Sequence, residues 1–180
     1  MLELTIITEP EQWDEVNQQF IPPKGHLLRL EHSLVSISKW ESKWHKPFLS
    51  KLEKTQEEVI DYIKCMTTTQ NVDPDVYNFL SIENVNAINE YINAPMTATT
   101  FSNNDKNGNR EVITAEIIYY WMIALNIPFE CQKWHLNRLL TLVKVCSIKN
   151  QPSKKMSKKD IMSRNAALNA ARRQQYNTKG

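Results

Sequence analysis

Nine of the 22 lysines and arginines fall in the last 32 residues, Lys149 to Gly180, beside only one of the 20 acids, Asp160. The first 148 residues therefore hold 13 basic and 19 acidic side chains, and the formal charge of +2 divides into a tail near +8 and a body near −6. Concentrated like charge cannot build a core, because Lys and Arg are almost never buried without partners. The core must come from residues 1–148, a length that suffices for one domain. The division predicts a globular body over 1–148 and a basic linker with a C-terminal helix over 149–180.

Only three glycines are present, Gly25, Gly108 and Gly180, none in a Gly-x-Gly context. Phosphate-cradling loops need glycine where backbone amides close on the ligand, so Rossmann and P-loop classes are excluded. The longest apolar segment, Ile117 to Leu125, is too short to span a bilayer, and MLELTIITEPEQW lacks the basic start and apolar stretch of a signal peptide. Cys65, Cys131 and Cys146 are odd in number and far apart, which argues for free thiols in a reducing compartment. The expectation is a cytosolic protein that makes no membrane contact.

The periodicity predicts a mainly α fold with a small N-terminal β element. Leu2, Leu4 and Ile6 alternate with polar residues as in a short edge strand. Trp13, Val16 and Phe20 then recur at helix-like spacing up to Pro22-Pro23. From His26 to Trp40 the period is two, the pattern of a strand or hairpin. Thr55-Gln-Glu-Glu58 is a capping box that opens a helix with Val59, Ile60, Tyr62, Ile63 and Met66. Asp73-Pro74-Asp75 starts a short helix and Ser81 caps another, with Ile82, Val85, Ile88 and Ile92 on its apolar face. Residues 94–110 read as a loop open to proteolysis. Thr114 opens AEIIYYWMIAL, apolar on nearly all sides and expected to be the central buried helix, which Pro128 ends. Phe129 to Ile148 reads as one long amphipathic helix. After a linker at Asn150-Gln-Pro-Ser, a cap at Ser157 leads into an Ala-rich basic helix ending near Tyr176, with only Ile161, Met162 and Leu168 as a thin apolar stripe.

No constellation carries catalytic chemistry beyond a structural explanation. Cys131 and His135 stand four apart, and with His45 or Cys65 they could complete a zinc site, but the chain has no Cys-x-x-Cys. A buried thiol beside an imidazole is the plainer account. Glu116 reads as a helix-start carboxylate balancing the macrodipole rather than a general acid. Asn103-x-Asp105-x-Asn107-Gly108 lacks the acids of a calcium loop, with Thr114 where a bidentate Glu is required. The repeat Ser-Lys-Trp-Glu-Ser-Lys-Trp, Ser38 to Trp44, sets Lys39, Lys43 and Lys46 beside Trp40 and Trp44. These Trp residues are anchors for the core or for a protein partner. The basic tail has three readings: a helix that orders against a protein partner, which its Ala-rich, thinly striped pattern fits best, a merely solubilising tail, and a nucleic-acid contact, which its Arg172-Arg173 and Lys158-Lys159 pairs fit least because they carry no interleaved aromatics.

Three stretches carry a resemblance: SISKWESKWHKPFLS (36–50), TAEIIYYWMIALNIPFECQKWHLNRLLTLVKVC (114–146) and KKMSKKDIMSRNAALNAARRQQ (154–175). They resemble the tail assembly chaperones that tailed bacteriophages encode beside the tape-measure protein. The resemblance implies a non-enzymatic protein without cofactor, acting in the infected host's cytoplasm. It would coat the long helical tape-measure protein until tube protein polymerises around it, and would be absent from the finished virion. Such families often make a longer second product by frameshifting. They share no catalytic residues, so the expected partner-binding residues come from the patterns above: Trp40, Trp44, Ile161, Leu168, Arg172 and Arg173. The rival readings are a small nucleic-acid-binding phage protein using its basic tail, and a structural tail or connector component. Oligomerisation is left open by the sequence.

Overall fold

The computed structural model describes residues 1–101, 112–151 and 157–178. It is mainly α-helical with a small N-terminal β element, and it divides into two compact units, Met1–Ser147 and Ile148–Gly180.

The first unit opens on two nested hairpins. Strand β1 (Leu2–Glu9) pairs antiparallel with β4 (Lys24–Leu30), and between them β2 (Gln12–Asp14) pairs with β3 (Gln19–Ile21). The alternation of Leu2, Leu4 and Ile6 sets the register. Leu2 faces Leu30 and Leu4 faces Leu28, so one side of the outer ribbon collects Ile6, Leu28 and Leu30 in the core. The inner hairpin corrects the helix expected around Trp13, Val16 and Phe20. Asp14 closes the turn by accepting the Val16 and Asn17 amides at 2.9 and 3.2 Å, and Gln18 takes the left-handed conformation. Trp13 and Phe20 thereby become a cross-strand pair with ring centroids 4.8 Å apart.

The period-two pattern from His26 is half strand and half helix. Strand β4 stops at Leu30, and α1 (Leu34–Trp44) begins at the Ser33 cap. Ser33 and Ser36 satisfy each other's amides, a capping box built from two serines. Leu34, Ile37, Trp40 and Glu41 then fall on one buried face. Helices α2 (Gln56–Met66) and α3 (Ile82–Asn93) start at the expected box of Thr55 and the expected cap of Ser81, and the Asp73-Pro74 start forms a 3₁₀ turn, Pro74–Phe79.

Helix α4 (Ala115–Ala124) departs from the sequence reading. Only Ala115, Ile118 and Met122 are buried, while Tyr120 and Ile123 are 66% and 60% exposed. The apolar sequence covers the helix all round, but neighbouring elements cover one side. The expected long helix from Phe129 is also broken. A 3₁₀ turn (Phe129–Lys133) precedes α5 (Leu136–Asn150), and the junction is held where the Leu136 amide donates to the His32 carbonyl at 2.7 Å. The core joins Ile6, Leu28 and Leu30 to Leu34, Ile37 and Trp40 of α1, and to the inner faces of α2 to α5.

In the second unit, Ser157 caps α6 (Lys158–Tyr176) by accepting the Asp160 amide, and Asn177 ends it in the left-handed conformation. Among the described residues no helix is long and apolar enough to cross a membrane. The calcium-like run at Asn103 to Gly108 and the second half of the expected linker, Pro152 and Ser153, lie outside the described residues.

Candidate partner-binding site

The Ser-Lys-Trp repeat builds the seam between α1 and α2. Trp40 is 1% exposed and donates its indole N–H to the Glu58 carbonyl at 2.8 Å, with its ring edge-on to Phe48. A docking role for Trp40 is thereby corrected: a ring enclosed in the core offers no surface to a partner. Trp44, one turn on, is half-buried and donates to Asp61 Oδ2 at 2.9 Å. The repeat's lysines are engaged as well. Lys43 pairs with Asp61, and Lys46 reaches Glu58 at 2.5 Å. Both ammonium groups stand within 6 Å of the Trp44 ring, at 5.7 and 5.9 Å. The Lys46 bond and the Thr55 amide hold the Glu58 carboxyl below its ordinary range, just as the Asp61 bond raises the Lys43 ammonium.

Helix α6 presents the other expected contacts. It buries no residue along its 19 positions. Ile161, Leu168 and Arg172 share one face through spacings of seven and four, and Arg173 lies on its flank. Ile161 and Leu168 are 44% and 46% exposed. The structure therefore separates the six expected contact residues: Trp40 inside the first unit, Trp44 at its surface, and four on α6.

The metal candidates do not converge. Cys131 sits in the 3₁₀ turn, and His135 lies between that turn and α5 rather than on one helix with Cys131. The His135 Nε2 donates to the Tyr91 carbonyl at 3.0 Å while Nδ1 accepts the Asn137 amide, so both ring nitrogens are used. His45 caps α1 in a left-handed conformation. Among the described residues no group of three or more His, Cys, Asp or Glu is arranged to hold a metal ion.

Three features escaped the sequence reading. Glu116 stands in the first turn of α4 as expected, but the carboxylate that accepts an amide there is Glu41 of α1. Buried Glu41 accepts the Ala115 amide at 2.8 Å and the Phe48 amide at 2.7 Å, replacing a side-chain cap that Thr114 does not make. Replacing it in Glu41→Gln turns one acceptor into a donor facing an amide. The expected loss is about 1–2 kcal/mol, or about 3–6 °C in a thermal melt; an unchanged melt would mean that these amides find other acceptors.

The second feature is a buried polar hub. His32 Nδ1 meets the Tyr62 hydroxyl at 2.5 Å, and its ring lies edge-on to His135 with centroids 5.1 Å apart. Burial, with His135 alongside, pushes the His32 imidazole down to about 4. Burial also lowers His135 and raises the Tyr62 and Tyr91 hydroxyls, and the Tyr91 O–H donates to Glu31 at 2.7 Å. The third is a cleft of about 420 Å³ between α2 and α3, with Val59, Ile60, Ile63, Tyr77, Leu80 and Val85 in its walls.

No family model matches the chain, and no curated protein or solved structure matches it either.

Proposed function

We propose that this chain is a non-enzymatic assembly chaperone of a phage tail, which binds the tape-measure protein and keeps it soluble in the host cytoplasm. The observation that carries this reading is α6, a 19-residue helix that buries none of its residues. A helix with so thin an apolar stripe gains little from its own sequence, and tertiary or partner contacts supply most helical stability in water. Ile161 and Leu168 would meet the apolar stripe of a client helix, with Arg172 and Arg173 reaching its acids and Trp44 as a second contact on the body. The resemblance over 36–50, 114–146 and 154–175 supplies the identity of the client.

Co-expression with the neighbouring tape-measure protein tests it. The full chain should carry the client into the soluble fraction, and removal of residues 150–180 should return it to the pellet. Arg172→Ala with Arg173→Ala should lower the soluble client several-fold. An equal yield of soluble client with and without the tail would remove α6 from the function. The basic charge of α6 also favours one rival, nucleic-acid binding. A purified preparation that carries nucleic acid and sheds it as salt rises would replace the chaperone reading, because counterion release makes such binding fall steeply with salt.

A further inference from the structure

The acidity of the body is concentrated beside one apolar feature. Residues 52–85 hold seven acids and two lysines. That stretch forms α2, the 3₁₀ turn and the start of α3, the elements that line the 420 Å³ cleft. Glu53, Glu57, Asp73, Asp75 and Glu83 of that stretch are all exposed. The two lysines offset only part of this charge. Lys64 lies 5.4 Å from the Tyr77 ring centroid and Lys54 lies 4.6 Å from that of Phe48. Inside, the walls are Val59, Ile60, Ile63, Leu80 and Val85, and beside them Phe79 and Ile82 are 51% and 80% exposed. An apolar trough in a stretch of net negative charge has the form that receives an amphipathic helix of opposite charge.

The chain itself contains such a helix. Over Lys158–Tyr176, α6 carries five basic residues and one acid, and Ile161 and Leu168 form an apolar pair two turns apart. We propose that the acidic cleft between α2 and α3 receives α6 of a second copy of this chain. The contact is heterologous: cleft and helix are different surfaces, so each molecule offers one of each. Two copies can exchange helices reciprocally, and longer assemblies form when they do not close. The contact also gives α6 a partner before any client is present, and a client helix would compete with the cleft for it.

The test is the association state of the full chain in a dilution series by sedimentation velocity, with two variants. Val59→Arg places a cation in the cleft wall at a site already 38% exposed, and Leu168→Glu spoils the apolar pair of α6. The wild-type chain should self-associate, with a dissociation constant that rises about tenfold or more between low and high salt, as screening of a charged contact requires. Each variant alone should be monomeric with an unchanged far-UV circular dichroism spectrum. An equimolar mixture of the two should associate again, because one intact cleft then meets one intact helix. That recovery separates lost contact from lost folding.

A chain that is monomeric at every concentration overturns the proposal, whether the cleft is empty or filled by the same molecule's helix. Association that survives either substitution, or a mixture that stays monomeric, overturns it too. Self-association that behaves as expected in a chain that solubilises no client leaves this contact standing and removes the proposed function.

Discussion

Trp40→Ala should cost about 3–5 kcal/mol of folding stability, the range for removing a buried aromatic from a core. The side chain is 1% exposed, and its loss would leave a cavity between α1 and α2 bordered by Phe48 and Trp44, whose ring centroids lie 5.2 and 6.3 Å away. The Glu58 carbonyl would lose the indole donor, adding about 1 kcal/mol. Domains have about 5–15 kcal/mol in total, so the variant would lose a large share of its stability. Trp44→Ala is the internal control. That ring is half-buried, and its loss removes one bond to Asp61 and two cation–π neighbours, for an expected cost of about 1–2 kcal/mol. Urea unfolding followed by circular dichroism measures both. Equal costs would mean that Trp40 is not enclosed, and its docking role would return.

The same pair of residues shows which features a sequence displays and which it hides. Helical spacing put Trp40 and Trp44 on one face, but which of the two is enclosed depends on α2, whose Glu58 carbonyl comes from 18 residues away. Helix starts at Thr55, Ser81 and Ser157 were legible because the capping oxygen and the amide it accepts are three residues apart. The start at Ser33 was not, since its partner is Ser36 rather than an acid and the preceding strand extended the alternation of two into the helix. Trp13, Val16 and Phe20 share helical spacing by coincidence, and the Asp14 turn outweighs it. Glu41 gave no signal at all, because the α4 amide it accepts lies 74 residues along the chain.

The apolar run of α4 illustrates a further limit. Its residues are apolar on every side, yet burial is decided by how many elements the chain can bring against it, and Tyr120 and Ile123 are left outside. The cleft was hidden for a related reason. Val59, Tyr77 and Val85 belong to three separate elements, so no local period joins them, whereas the charge imbalance of 52–85 is written in consecutive residues. Thus the charges of both halves of the proposed contact could be read from the chain, while the apolar trough became visible only when α2 and α3 were brought together.

The histidine hub sets the response to acid. In the folded chain the His32 imidazole titrates at about 4 instead of 6.5, because it is buried and faces His135, so between these values it stays neutral while the unfolded chain takes up a proton. Unfolding then binds protons, and stability rises with pH across that window. The contribution is fully present above about pH 6.5, declines as the pH falls, and levels off near 4. A shift of this size corresponds to about 3 kcal/mol, and His135, lowered chiefly by burial, acts in the same direction. Tyr62 and Tyr91 are held in their neutral forms by burial, while the Glu31 carboxylate, which accepts the Tyr91 hydroxyl and pairs with the N-terminal ammonium, partly offsets the lowering at His135. The urea midpoint should therefore fall steadily from pH 7 to pH 4. In His32→Gln, which keeps a polar partner for the Tyr62 hydroxyl, most of that fall should disappear while the share of His135 remains. A variant whose midpoint tracked pH as steeply as the parent would place the acid sensitivity in other groups, and the buried pair would then be only a structural junction between β4 and α5.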